Sequence, residues 1–134
     1  MALEYNGQRV GAMQYNGVTI GEAMMDGHIV YRSSIYPLEG TWGPTNVPNT
    51  ATTFDSHTIE EVGEYTITHT ATSSGNPPVF VSSIRTPHGS VFAPNGSPST
   101  ATLTEQFQPG DLIEFRAASI GASTATGTWS IVKN

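Results

Sequence analysis

The ionisable residues of this chain gather most densely at Asp55, Glu60, Glu61 and Glu64, with His57 among them. Carboxylates beside an imidazole are the donor set of a calcium or transition-metal site. Calcium, however, needs about six to eight oxygens from a shaped loop, and the spaced Asp/Asn/Gly pattern of such a loop is missing. The run reads better as a solvated strand edge whose charge deters edge pairing.

Glu105, Asp111 and Glu114 suggest a second chemistry, since glycoside hydrolysis needs two carboxylates flanking a cleft. Two of them are expected on the exposed face of one hairpin, which is no cleft. His28, His57, His69 and His88 are spread along the chain, and no pair has the i, i+4 helical spacing of a metalloprotease. His69 falls on the apolar face of its strand, where a hydrogen-bonded core histidine is expected. The serines lack a G-x-S-x-G elbow, and "HGSVF" at 88 to 92 is a turn entering a strand. The expectation is a protein that is not an enzyme, with no catalytic residue, metal ligand or cofactor to assign.

Composition narrows the class further. Only 12% of the 134 residues are Asp, Glu, Lys or Arg, and Thr, Ser, Gly and Pro abound, as in short strands joined by turns. The net charge is -6, and the basic residues (Arg9, Arg32, Arg85, Arg116, Lys133) are scattered singly. Nucleic acid, which needs a basic patch, is not the expected partner. The absence of cysteine removes disulfides and thiolate metal sites. No apolar stretch is long enough for a membrane span, and "MALEYNGQRV" has no signal-peptide pattern. A soluble product made in a cytoplasm is expected, with no membrane partner.

The elements are all β. Asn6-Gly7, Asn16-Gly17 and Asp26-Gly27 recur with a fixed spacing, each followed at the same offset by Val10, Ile20 or Val30. Such pairs favour the type I′ turn of a tight hairpin. Residues 1–32 therefore read as a small antiparallel meander. A sheet this small cannot bury both its faces, so it must dock on something else. The candidate docking side chains are Tyr5, Val10, Met13, Tyr15, Ile20, Met24, Met25 and Tyr31; methionine adapts well to irregular partner surfaces.

Residues 33–53 hold Pro37, Pro44, Pro48, Gly40 and Gly43, and read as a linker or extended arm with no regular element. Trp42 in that arm is either an anchor on a partner or a plug on its own sandwich, and the plug is favoured because of the area an indole must bury. Residues 54–134 read as a β-sandwich of seven or eight strands. "EYTITHTAT" alternates Tyr65, Ile67, His69 and Ala71 against Thr66, Thr68 and Thr70. "VFVSSIR" and "SVFAP" flank a turn, "TATLTEQF" and "DLIEFRAAS" are joined through Gln108-Pro109-Gly110, and "GTWSIVKN" closes the chain with Trp129, Ile131 and Lys133 on one face.

Two resemblances cover different parts of the chain. "YNGQRV" at 5 to 10, "YNGVTI" at 15 to 20 and "MDGHIVY" at 25 to 31 resemble the repeats of bacteriophage tail proteins, especially small minor tail proteins of siphophages of Gram-positive hosts. "HTIEEVGEYTIT" at 57 to 68, "LTEQFQPGDLIEFRA" at 103 to 117 and "GTWSIV" at 127 to 132 are similar to the jelly roll shared by the complement globular head and tumour-necrosis-factor group, by many phage receptor-binding heads and by some carbohydrate-binding modules. The aromatic-rich trimer axis of that group is missing.

Together they imply a virion structural protein made in the host cytoplasm, a minor tail or tail-tip subunit with other virion proteins as partners. They also imply a homo-oligomer, a trimer among the candidates. A capsid decoration (cement) protein is the alternative. A carbohydrate-binding module or receptor-binding head is a second, with a host-surface glycan as partner. Its contacts would come from Trp42, Tyr36 or Phe92, beside Asn76 and Asn95, although each of these aromatics is read first as structural.

Overall fold

The computed structural model describes residues 23–25, 28–30, 34–121 and 123–134. The chain divides into two compact units, Met1–Ile35 and Tyr36–Asn134.

In the first unit, β1 (Ala23–Met25) and β2 (His28–Val30) pair antiparallel, Met25 opposite His28. Two residues, Asp26 and Gly27, separate them in sequence, the loop length expected of the third repeat. Of the candidate docking residues, Met24 and Met25 lie in β1; Tyr5, Val10, Met13, Tyr15, Ile20 and Tyr31 lie outside the described residues.

The second unit is an eight-stranded sandwich. Its strands are β3 (Leu38–Asn46), β4 (Thr52–Thr58), β5 (Gly63–Ser73), β6 (Val79–Thr86), β7 (Gly89–Phe92), β8 (Ser99–Phe107), β9 (Leu112–Ile120) and β10 (Thr124–Lys133). One sheet runs β3-β10-β5-β8 and the other β4-β9-β6-β7, with every pair antiparallel. Only β6 and β7 are consecutive strands that pair; every other connection crosses between sheets. That is the double Greek key of a jelly roll.

The period-2 alternation drives the packing. Tyr65, Ile67, His69 and Ala71 of β5 point inward and are buried, as do Phe80, Ser82 and Ile84 of β6 and Ile113, Phe115, Ala117 and Ser119 of β9. Tyr65, Ile67, Ile84, Ile113 and Phe115 join Tyr36, Ile59, Leu103, Phe107 and Ile131 in the core beneath one half of the sandwich, while Trp42, Val47, Ala71, Phe80, Ala117 and Ala125 fill the other half.

Two expectations need correction. Residues 33–53 are not an irregular arm, because most of the segment forms β3 and the start of β4. Proline is tolerated there because β3 is an edge strand and bulges at the critical point. Trp42 pairs with Gly127 and Thr45 with Ala125, so Gly43 and Pro44 together face Thr126. Gly43 has φ of 85°, a left-handed conformation that suits glycine. Nor do β8 and β9 form a hairpin. The turn at Gln108 to Asp111 carries the chain from one sheet to the other, and is tied to residue 59 by Gly110 N–H to Ile59 O (2.9 Å) and Ile59 N–H to Asp111 O (2.8 Å).

Candidate functional site

The carboxylates take separate partners rather than converging. Asp55 accepts from the Trp129 indole N–H (2.8 Å), Glu61 from Lys133 (3.1 Å) and Glu64 from the Asn134 amide (3.1 Å). Glu105 pairs with His88 (2.9 Å), Asp111 accepts from the Gln108 backbone and Glu114 from Thr53. Glu105 and Glu114 stand on different sheets. Among the described residues no three metal-ligating side chains come together.

Two histidines are internal. His69 is fully buried; its Nε2 accepts from the Trp42 indole N–H at 2.9 Å, and its Nδ1 lies 3.0 Å from the carbonyl of Ser83. An indole only donates, so Nε2 must be bare and Nδ1 must carry the proton. Burial disfavours the imidazolium and pushes the His69 pKa down to about 4, against the opposing pull of the Ser83 carbonyl. His57 meets the Tyr36 hydroxyl through Nε2 at 2.8 Å, and that hydroxyl accepts from the Glu60 backbone N–H at 3.1 Å. Burial lowers the His57 pKa and raises that of Tyr36. A neutral imidazole accepting from a protonated phenol follows.

These pairs belong to a run of neighbouring rings across the sandwich. Phe54 stacks on Trp42 (4.5 Å), His69 meets Phe115 (5.3 Å), Phe115 stacks on Trp129 (4.6 Å) and Tyr36 meets Tyr65 edge-on (4.8 Å). Each edge or stack adds about 0.5–1.5 kcal/mol to what area burial gives. These rings hold the two sheets together.

Trp42, at 6% exposure, is therefore a plug inside the sandwich and no ligand platform, and Tyr36 is equally enclosed. Asn95 is a clasp: its Oδ1 accepts from Phe80 N–H (2.8 Å) and its Nδ2 donates to Pro78 O (3.2 Å), tying the β7–β8 loop to the start of β6. Asn76 is exposed in the β5–β6 loop. Phe92 is 64% exposed.

What remains for recognition is the outer surface of the two sheets, and these differ in chemistry. The β3-β10-β5-β8 face is hydroxylic. Thr41, Thr128, Thr70 and Thr100 form one row, and Ser130, Thr68 and Thr102 the next. Some hydroxyls pair across strands, as in Thr70 with Thr100 at 2.8 Å and Thr66 with Thr104 at 3.1 Å. An open depression of about 560 Å³ lies over β3, β10 and β5, bordered by Glu39, Thr41, Thr68, Thr70, Thr128 and Ser130. The β4-β9-β6-β7 face carries apolar and charged side chains instead. The alternation that produces both faces was readable in sequence; which strands would lie side by side was not.

No protein-family model matches the chain, and none of the curated proteins compared with it matches.

Proposed function

We propose that this chain is a non-enzymatic structural subunit of a bacteriophage particle, a minor tail or tail-tip protein that presents a jelly-roll sandwich outward and docks through its N-terminal repeats. The observation that supports this reading is the division at Ile35. A repeat-bearing segment too short for its own two-sided core precedes a sandwich whose two core clusters, among the described residues, are drawn from residues 36–134. A host-surface glycan is the partner proposed for the outward domain. The hydroxyl-lined depression beside Glu39 supplies donors and acceptors suited to a neutral sugar.

The test is incorporation. Particles assembled with the full chain should contain it at a copy number that is a multiple of three or six, whereas a chain lacking residues 1–35 should fold and stay out of the particle. Incorporation of the truncated chain would reject the docking role. A copy number matching the capsid lattice would make the protein a decoration subunit instead.

A further inference from the structure

Asn95 and Gly96 stand in the β7–β8 loop, where residues 94–98 are all exposed to water. An asparagine followed by a glycine carries a reaction within itself. The backbone nitrogen of Gly96, on a residue with no side chain to hinder its approach, can attack the side-chain carbonyl carbon of Asn95. The Gly96 N–Cγ bond forms, the Cγ–Nδ2 bond breaks, and ammonia leaves behind a five-membered imide. Water then opens the ring. Addition at Cγ gives aspartate, and addition at the main-chain carbonyl carbon gives isoaspartate. The sum is asparagine and water to a carboxylic acid and ammonia, which needs no oxidant, metal or enzyme.

The fold holds both reacting groups elsewhere. The attacking nitrogen donates its N–H to Phe80 O at 3.0 Å. The carboxamide it would attack is gripped at both ends, by Phe80 N–H on Oδ1 (2.8 Å) and by Pro78 O on Nδ2 (3.2 Å). All three partner atoms belong to residues 78–80, so the loop cannot cyclise without leaving the start of β6. Crowding plays no part, since a Cβ placed on Gly96 would meet nothing within 4 Å. Hydrogen bonding alone restrains an otherwise open and solvated pair.

We propose that Asn95–Gly96 is a self-modification site, shut while this clasp is made and reactive when the β7–β8 loop lifts from β6. Ring closure is slow beside loop motion, so its rate follows the equilibrium population of the open loop. Each of the three bonds is worth roughly fivefold in that equilibrium, and together they slow the reaction about a hundredfold. The product cannot close as before. Neither acid has the Nδ2 donor, and the carboxylate of an aspartate would face the Pro78 carbonyl oxygen, acceptor against acceptor. Isoaspartate also lengthens the main chain by a carbon, which displaces the Gly96 N–H from Phe80 O. A reversible opening is thereby recorded as a permanent loss of the clasp.

The full-length protein would be incubated in mildly alkaline buffer, with and without urea above its unfolding midpoint, beside a peptide of residues 91–99 that supplies the unrestrained rate. Mass spectrometry of the digested segment holding Asn95 would follow conversion of amide to acid, with the aspartate and isoaspartate isomers resolved. In buffer the protein should react at about a hundredth of the peptide's rate, and in urea the two rates should agree. Asn95→Gln, whose longer side chain closes a ring far more slowly, should abolish the signal, while Asn95→Asp should fold and melt at a lower temperature than the parent. Equal rates for protein and peptide in buffer, a protein rate that stays low in urea, a signal that persists in Asn95→Gln, or an Asn95→Asp chain as stable as the parent would overturn the inference.

Discussion

Trp42 lies over Gly127, its directly paired neighbour across the β3–β10 ladder, and a Cβ on that glycine would collide with the indole ring. Two positions along, the relationship is reversed: Trp129 pairs with Gly40 and occupies the space that a Gly40 side chain would need. Each tryptophan thus fills the gap left by a glycine on the adjacent strand, and together they fix the register of an edge strand interrupted by proline.

Gly127→Ala should therefore destabilise the domain. Forcing a methyl into a packed core costs about 1–3 kcal/mol, and here the obstacle is a ring held between Phe54 and His69. Urea denaturation would show a lower midpoint with an unchanged slope. Gly75→Ala, which meets nothing, is the control. Equal stability of the two variants would contradict the packing described.

Stability should fall in acid through His69. Its pKa is lower in the folded chain than the ordinary 6.5, so below pH 6.5 the unfolded chain binds a proton that the folded chain refuses. The effect is absent above pH 6.5, grows as pH falls, and is complete near pH 4, a loss of about 3 kcal/mol. His57 acts in the same direction. Denaturant titrations from pH 7.5 to 4 would measure the slope, and His69→Phe should flatten it. An unaltered slope in that variant would assign the acid sensitivity elsewhere.

Asn95→Ala should loosen the end of the sandwich that holds the β5–β6 and β7–β8 loops. Two hydrogen bonds disappear and the Phe80 N–H loses its acceptor, at a cost of about 1–3 kcal/mol. Hydrogen exchange at Phe80 is the direct readout, and protection equal to that of the parent would show the clasp to be dispensable.

The pair His88–Glu105 makes a contrasting case. Both side chains are partly exposed to solvent, and such pairs contribute about 0–1 kcal/mol. His88→Ala should shift the melting temperature little beyond what its stacking on Phe107 provides. A loss as large as that of Gly127→Ala would mean that the edge of β8 depends on this contact.

Much of the fold was legible in the sequence because alternation along a strand is a local property. The inward set of β5, the β6–β7 hairpin and the shared face of Trp129, Ile131 and Lys133 followed from it directly. Strand β3 was hidden by its proline and glycines, which are tolerated only because the strand lies at an edge and bulges, and edge position is a property of the whole sheet. The turn at residues 108–111 misled for a related reason. Its Pro-Gly chemistry is that of a tight reversal, but nothing local says whether the returning strand rejoins the same sheet. His69 was placed correctly in the core, yet its bond to Trp42 joins residues in strands that meet only in the folded sandwich.

The crossing connections also govern how the domain comes to be folded. Among the described strands of the unit only β6 and β7 pair across a short loop, whereas β3 pairs with β10, at the opposite end of the unit. Chains dominated by such distant pairings fold on the order of milliseconds to seconds, because loop entropy is lost before the contacts form. As the chain emerges from the ribosome, β3 must wait for β10, the last strand to be made. Its glycines, proline and bulge make it a poor template for other chains during that wait, so the composition that disguised it in the sequence is what protects it from aggregation.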